Sequence, residues 1–197
     1  MEFRAAPATA TSPTSPTTPT VAVRSARVGE AAALAGLAAA TFPDACPPEM
    51  PPADIEDFIA EHLSVRAFAG YLADPRFLVL VAEPVDAAGP DAPLLGYTLL
   101  DLSPVEEPPT DWGTANAYLS KMYVRDTARG TGAASALMRA TLDAARRRGH
   151  RRVWLGVNQA NTRAGAFYGK LGFEVVGERT FAVGGATGTD HLRAVEL

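Results

Sequence analysis

Seven apolar segments, separated by turn-forming or charged residues, run through the chain and predict the strands of a sheet. One of them, FLVLVAE, is apolar almost throughout, which is typical of a central strand buried on both faces. The segment LLGYTLLDL follows it after a turn rich in Pro, Gly and Asp, so the two are expected to form a hairpin. The predicted strands cover residues 21–26, 77–83, 94–102, 117–124, 153–157, 173–183 and 190–197.

Five further segments carry their apolar residues at helical spacing and predict helices. In the second, Ile55 and Phe58 fall on one face, and Pro52 suits a helix start. Ser64 is the expected N-cap of the third helix and Gly149 the stop signal of the fourth. The predicted helices cover residues 30–42, 54–63, 65–73, 131–149 and 162–171. Their order among the strands predicts an α/β domain, with a mixed sheet and helices on both faces.

Residues 1–19 consist mainly of Thr, Ser, Pro and Ala, with almost no large apolar side chains. Such a segment cannot bury enough surface to offset the entropy lost on ordering. A disordered tail is therefore predicted, followed by a single domain over residues 20–197. No apolar stretch approaches the roughly 20 residues of a membrane span, and the N-terminus lacks the apolar core of a secretory signal. A cytoplasmic protein without membrane contact is expected.

The content of cysteine and histidine excludes several kinds of site. One cysteine, Cys46, rules out a disulfide framework and a Cys-rich zinc site. The three histidines, His62, His150 and His191, show no metal-ligand spacing. No metal is therefore expected.

The net charge of −4 conceals two halves of opposite sign. Residues 41–111 contain 14 acidic and two basic side chains, whereas residues 121–179 contain 12 basic and four acidic ones. This asymmetry favours one anionic and one cationic ligand, although two solvated faces would give the same counts. The basic half lacks interleaved aromatic residues, so nucleic-acid binding is not expected.

A glycine-rich turn, RGTGAA at residues 129–134, lies between a predicted strand and the fourth predicted helix. Glycines here let successive N–H groups face an anion, with the positive end of the helix dipole behind them. The pattern fits a pyrophosphate site. It lacks the Gly-Lys-Ser/Thr of a P-loop and the third glycine of a dinucleotide-binding fingerprint. A plain glycine-rich helix start is the alternative interpretation.

A second segment, NTRAGAFYGKLGF at residues 161–173, has the spacing Asn-x-x-Ala-x-x-Phe-Tyr-x-Lys-x-Gly-Phe. Together with Arg129-x-x-Gly132-x-Ala134, this block resembles the GNAT superfamily of N-acetyltransferases, in which Arg-x-x-Gly-x-Gly/Ala binds the pyrophosphate of acetyl-CoA. The resemblance is sharp over residues 117–183.

The resemblance implies the GNAT fold, a mixed, mostly antiparallel twisted sheet of six or seven strands with helices on both faces. It also implies a V-shaped splay between the two central parallel strands. The acidic N-terminal half resembles the bacterial spermine/spermidine acetyltransferase-like branch of the superfamily. So does the ending, with Phe181, a Gly-containing turn and the pair Thr189-Asp190.

The same resemblance assigns roles around the splay, where the pantetheine arm of acetyl-CoA would enter like an added strand. The backbones of Met122 and Val124, with Tyr123 between them, would bond the pantetheine amides. The N–H of Met122 would face the thioester oxygen and stabilise its negative charge. Asn161 and Phe167 would lie along the cofactor arm, and the loop would hold the diphosphate. The loop residues are Arg129, Gly130, Thr131, Gly132, Ala133 and Ala134.

Tyr168 would protonate the departing thiolate as a general acid, the alternative being a core aromatic beside Phe167. A general base is also needed, because a lysine-like amine has a pKa near 10.4. Members of the superfamily often use a glutamate on the strand before the loop, where this chain has Tyr118 and Ser120. The candidates are then a water chain or three acids of the preceding loop, although loop acids are usually only solvated. These acids are Glu106, Glu107 and Asp111.

The sequence therefore predicts an N-acetyltransferase that moves an acetyl group from its cosubstrate acetyl-CoA to a primary amine by direct attack. The acidic half favours a small cationic acceptor, such as a polyamine or an amino-sugar. Acetylation of a protein N-terminus or lysine is an alternative, and a non-catalytic acetyl-CoA-binding sensor is another. A homodimer would suit the predicted fold, but the sequence does not establish one.

Overall fold

The computed structural model describes residues 20–47, 50–87, 92–104, 112–183 and 186–197. The predicted tail, residues 1–19, and the three candidate bases Glu106, Glu107 and Asp111 lie outside the described residues. Among the helices that are described, none combines the length and the apolar character needed to cross a membrane.

One sheet contains all the described strands. They are β1 Val21–Ser25, β2 Phe77–Pro84, β3 Gly96–Asp101, β4 Asn116–Val124, β5 Arg152–Asn158, β6 Glu174–Val183 and β7 Ala186–Glu196. Their spatial order is β1-β2-β3-β4-β5-β7-β6, and every neighbouring pair is antiparallel except β4 and β5. The predicted mixed, mostly antiparallel sheet of six or seven strands is confirmed.

Helices cover both faces of the sheet, as predicted. They are α1 Ala31–Thr41, α2 Pro52–His62, α3 Val65–Ala73, α4 Ala133–Arg147 and α5 Thr162–Lys170. One core cluster joins α1 and α3 to side chains such as Val81 and Leu99 on one face. A second cluster joins Leu137 and Met138 of α4 to Leu80 and its neighbours on the other face. Burial of these apolar faces supplies the main driving force for folding.

The element boundaries follow the local signals to within two residues in most cases, and two of the differences have a clear local cause. Ser64 caps α3 as predicted, since its side chain accepts a hydrogen bond from the N–H of Ala67 at 3.2 Å. Helix α4 begins at Ala133 instead of residue 131, because Gly132 before it has a positive φ that interrupts the helical backbone. Strand β7 begins at Ala186, inside the predicted turn, because this residue already pairs with β6.

Gly96 of β3 lies where the backbone of β4 and the side chains of α4 meet. A Cβ at this position would lie 2.7 Å from the carbonyl oxygen of Tyr123, 2.8 Å from Val124 Cγ2 and 3.0 Å from Leu137 Cδ1. The carbonyl oxygen belongs to a paired strand and cannot move aside without disturbing the sheet. The position therefore requires glycine for lack of space.

We expect Gly96→Ala to lower the free energy of unfolding by about 1–3 kcal/mol, because overpacking forces the surrounding structure to shift. Chemical denaturation of the purified variants measures it. Gly36→Ala is the matched control, since a Cβ at this exposed position of α1 meets nothing within 4 Å. The control should be as stable as the parent chain or more stable, because alanine favours a helix over glycine. Equal stability of the two variants would contradict the steric argument.

Candidate active site

The sheet opens between its two parallel strands. β4 and β5 are joined by three consecutive residue pairs, the last of which places Tyr118 opposite Trp154. Beyond this point β4 pairs only with β3, and β5 pairs only with β7. A register shift leaves Ser120 as an extra residue of β4 where the opening begins. The V-shaped splay expected from the sequence is therefore present, and one backbone edge of β4 is left without a neighbouring strand.

A cavity of about 640 Å³ fills this opening, a volume within the ordinary range for a small-molecule or cofactor site. Its wall combines β4 beyond Tyr118, the end of β5, the turn before α4, one face of α5 and the segment after α1. The structure thus brings together eleven of the residues singled out from the sequence. They are Met122, Tyr123, Val124, Arg129, Gly130, Gly132, Ala133, Ala134, Asn161, Phe167 and Tyr168.

The turn before α4 presents unused backbone donors to the cavity. Gly130 and Gly132 have φ angles of 82° and 87°, a left-handed conformation that glycine adopts without steric cost. Within the described part of the chain, the N–H groups of Gly130, Gly132 and Ala134 donate no hydrogen bond. Three donors at the positive end of a 15-residue helix form a site suited to an anion.

The other residues of this turn are bonded internally. The N–H of Arg129 donates to the carbonyl oxygen of Asp126 at 3.0 Å, and the N–H of Ala133 donates to Thr131 Oγ1 at 3.4 Å. The hydroxyl of Thr131 in turn donates to the carbonyl oxygen of Ala128 at 2.7 Å. Thr131 does not line the cavity, so its role is to fix the turn.

The side chain of Arg129 joins two parts of the cavity wall. Its Nη2 donates to Asp44 Oδ2 at 2.7 Å, and the two side chains are 43% and 56% exposed. Asp44 belongs to the segment between α1 and α2, so the ion pair holds that segment against the glycine-rich turn. An exposed pair of this kind contributes roughly 0–1 kcal/mol to stability.

Tyr168 of α5 faces the cavity from the side of the sheet that carries α4. Its ring packs against Phe167 and Phe173, with centroids 5.4 and 5.6 Å apart. Burial raises the pKa of the Tyr168 hydroxyl above its usual value near 10, and the nearby hydroxyl of Tyr118 raises it further. Tyr168 is therefore protonated at neutral pH, as a free tyrosine also is, and its place on the cavity wall is what makes it a candidate proton donor.

Tyr123 of β4 also lines the cavity. Burial raises the pKa of Tyr123, and Tyr168, Cys46 and Tyr118 add to this effect. Two tyrosines with raised pKa values, Tyr123 and Tyr168, are thus found on the cavity wall. Groups with perturbed pKa values inside a cavity are a common mark of an active site.

Asn161 acts at the start of α5. Its side-chain oxygen accepts a hydrogen bond from the N–H of Ala164 at 3.0 Å, which makes Asn161 the N-cap of that helix. It also lines the cavity. The cap orients α5 and so helps to fix Phe167 and Tyr168, a structural role that sequence reasoning did not assign.

Sequence reasoning missed several residues on the cavity wall. Lys121, Asn158 and Arg163 line it, as does Asp44. Lys121 lies next to Met122 on β4, and the alternation of side chains places it on the opposite face of the sheet. Its Nζ lies 5.3 Å above the ring of Tyr71. Arg163 lies inside the block at residues 161–173 and Asn158 just before it, so nearness to Asn161 was the available signal for these two. Asp44 comes from a segment distant in sequence, and no local signal points to it.

The sequence predicts that the acidic side chains of residues 41–111 lie beside the acceptor. Most of those that the structure describes do not line the cavity. Asp44 is the one acidic residue of segment 41–111 that lines the cavity, among those the structure describes. Glu83 binds Arg24 and Asp101 binds Arg76, so these two carboxylates hold the sheet together. Within the described ranges, no three or more His, Cys, Asp or Glu side chains lie together in a way that could hold a metal ion.

Comparison with known proteins identifies the family. The Acetyltransferase (GNAT) family profile matches residues 33–173. A protein of Mycobacterium tuberculosis named an uncharacterized N-acetyltransferase is 42% identical over 167 residues, which cover 83% of this chain and 96% of that protein.

Solved structures show the same fold. The PaiA N-acetyltransferase of Thermoplasma acidophilum, in complex with coenzyme A, matches with a TM-score of 0.70 and 17% identity, over 90% of this chain and 99% of that one. The spermidine/spermine N-acetyltransferase SpeG of Vibrio cholerae, in complex with manganese ions, gives a TM-score of 0.61 and 16% identity, over 89% and 92%. At these identities the likeness concerns the fold alone. With the family profile and the mycobacterial relative, it leads to one conclusion: the chain belongs to the GNAT family of acetyltransferases.

Proposed function

We propose that the protein transfers an acetyl group from acetyl-CoA to a primary amine of a small cationic molecule. The observation that carries the proposal is the layout of the cavity. Open N–H donors at the start of α4, an edge of β4 without a neighbouring strand, and a protonated tyrosine all line the same cavity. The family membership agrees with this reaction.

The residues of the cavity fit acetyl-CoA. The open N–H groups of Gly130, Gly132 and Ala134 would hold the diphosphate, because the left-handed glycines leave room for close approach. The backbone of Met122 and Val124 would bond the amides of the pantetheine arm along the free edge of β4. When bound, the cosubstrate supplies an acetyl group activated as a thioester.

Tyr168 would donate its proton to the sulfur of the departing thiol. The phenol is protonated at neutral pH, and Phe167 and Phe173 pack against the ring on the cavity wall. The N-cap made by Asn161 holds the start of the same helix. Positioned proton donors of this kind typically accelerate a reaction about 10²–10⁴-fold.

The cationic acceptor is inferred from charge. Helix α2 exposes Glu56, Asp57 and Glu61. It follows the segment that carries Asp44, whose own charge is paired with Arg129 on the cavity wall. The carboxylates of α2 give that side of the molecule a negative potential, which attracts cations over long range. The net charge of the chain is also negative.

Two measurements test the proposal. Isothermal titration calorimetry with coenzyme A should show binding, and thiol release from acetyl-CoA should rise with a polyamine or an amino-sugar in an amine panel. The acceptor KM should increase with NaCl concentration, because salt screens the attraction of a cation. Absence of heat with coenzyme A would refute the proposal. Turnover with peptides alone would favour protein acetylation, and binding without any turnover would favour a sensor.

A further inference from the structure

A polar cluster lies on the face of the sheet that α4 does not cover. Arg179 of β6 donates from Nη2 to Asp190 Oδ2 of β7 at 3.2 Å, and to Tyr118 Oη of β4 at 3.4 Å. Asp190 is 9% exposed. Its carboxylate is therefore held in a defined position by a charged donor from the neighbouring strand.

This cluster occupies the space that a side chain at position 156 would fill. A Cβ on Gly156 would lie 2.8 Å from Arg179 Nη2 and 2.8 Å from Asp190 Oδ2. Gly156 lines the cavity, and so does Asn158, the direct strand partner of Asp190. Asp190 itself does not line the cavity, so its carboxylate lies directly behind the wall that Gly156 and Asn158 form at the end of β5.

Tyr118 connects the cluster to the opening of the sheet. It is the last residue of β4 that pairs with β5, so it marks the point where the strands part. Through Arg179, the carboxylate of Asp190 is linked to this point. In contrast, the carboxylate of Asp44 is paired with Arg129 at the glycine-rich turn.

An attacking amine needs a partner that holds its N–H groups, and a carboxylate forms the stronger, charge-assisted hydrogen bonds. Resting on the proposed function, we propose that Asp190 binds the amine of the acceptor and that Arg179 positions its carboxylate in the space left by Gly156. The strand that bears the glycine-rich turn carries no carboxylate where the cavity begins. Strand β7, which lies on the far side of β5, supplies one.

The first test is Asp190→Asn, assayed with the best amine of the panel. We expect kcat/KM to fall about 10–100-fold, mainly through a higher acceptor KM, because a hydrogen bond to a charged group is lost. The dissociation constant of coenzyme A should stay unchanged. Asp143→Asn is the matched control, since Asp143 forms an exposed ion pair with Arg146 on α4, at 3.0 Å. The control should keep the parent KM.

The second test is Gly156→Ala, which keeps the proposal falsifiable if Asp190→Asn unfolds. The new Cβ would meet only the ends of two flexible side chains, so the fold should survive while the Arg179–Asp190 pair is displaced. The acceptor KM should again rise with unchanged coenzyme A binding. Parent-like KM values in every variant that folds would overturn this inference alone. A parent chain that binds no coenzyme A and acetylates no amine would overturn the proposed function and this inference with it.

Discussion

Replacing Gly132 with aspartate should raise the dissociation constant of coenzyme A about 100-fold, or roughly 3 kcal/mol, in a calorimetric titration. The N–H of Gly132 is one of three open donors in the turn before α4. A carboxylate here would set a negative charge where the diphosphate is proposed to bind. It would also compete for the donors and for the positive end of the helix dipole.

Gly149→Asp is the matched control for this experiment. Gly149 follows the other end of α4, also with a positive φ, of 85°, and a Cβ there also meets nothing within 4 Å. The control thus adds the same charge and the same backbone strain far from the cavity, and coenzyme A binding should not change. Equal affinity of both variants for coenzyme A would contradict the placement of the diphosphate at the glycine-rich turn.

Tyr168→Phe should lower kcat about 10²–10⁴-fold, because the ring keeps its packing while the proton donor is lost. Steady-state rates with saturating amine and acetyl-CoA measure the effect, and coenzyme A affinity should remain at the parent value. In the parent chain, ionisation of this phenol should not reduce kcat below pH values of about 10, because the pKa of Tyr168 is raised above that of a free phenol.

Tyr71→Phe serves as the control for the loss of a phenol. Burial raises the pKa of Tyr71 too, and its hydroxyl donates to the carbonyl oxygen of His62 at 3.3 Å, outside the cavity. Its removal should leave kcat unchanged. A parent-like kcat for Tyr168→Phe would remove this residue from the mechanism and leave it as a packing aromatic.

Local patterns predicted the elements well, because hydrophobic periodicity and capping depend on residues close in sequence. The strand-turn-helix unit around Gly130 and Gly132 is such a case, and the structure gives both glycines the positive φ that a tight anion-binding turn requires. Eight of the eleven predicted residues of the cavity wall come from this unit, and the other three come from α5 and its N-cap. Their joint position was accessible because the family resemblance supplied the topology.

The contacts that shape the rest of the site join residues far apart in the chain. Asp44 and Arg129 are 85 positions apart, and Tyr118 and Arg179 are 61 apart. The strand order and register decide which charged residues meet across such distances. A count of the charged residues in a segment gives no information on either. The clustering of acids in residues 41–111 therefore predicted a charged side of the molecule without showing which carboxylate would line the cavity.

The short junction between β4 and β5 has a consequence for the whole molecule. Three residue pairs are all that connect these two central strands through the sheet. A ligand that lies along the free edge of β4 would complete the sheet and add contacts between its halves. Because a ligand that binds only the folded chain stabilises it by mass action, the protein's lifetime would rise and fall with the cell's supply of coenzyme.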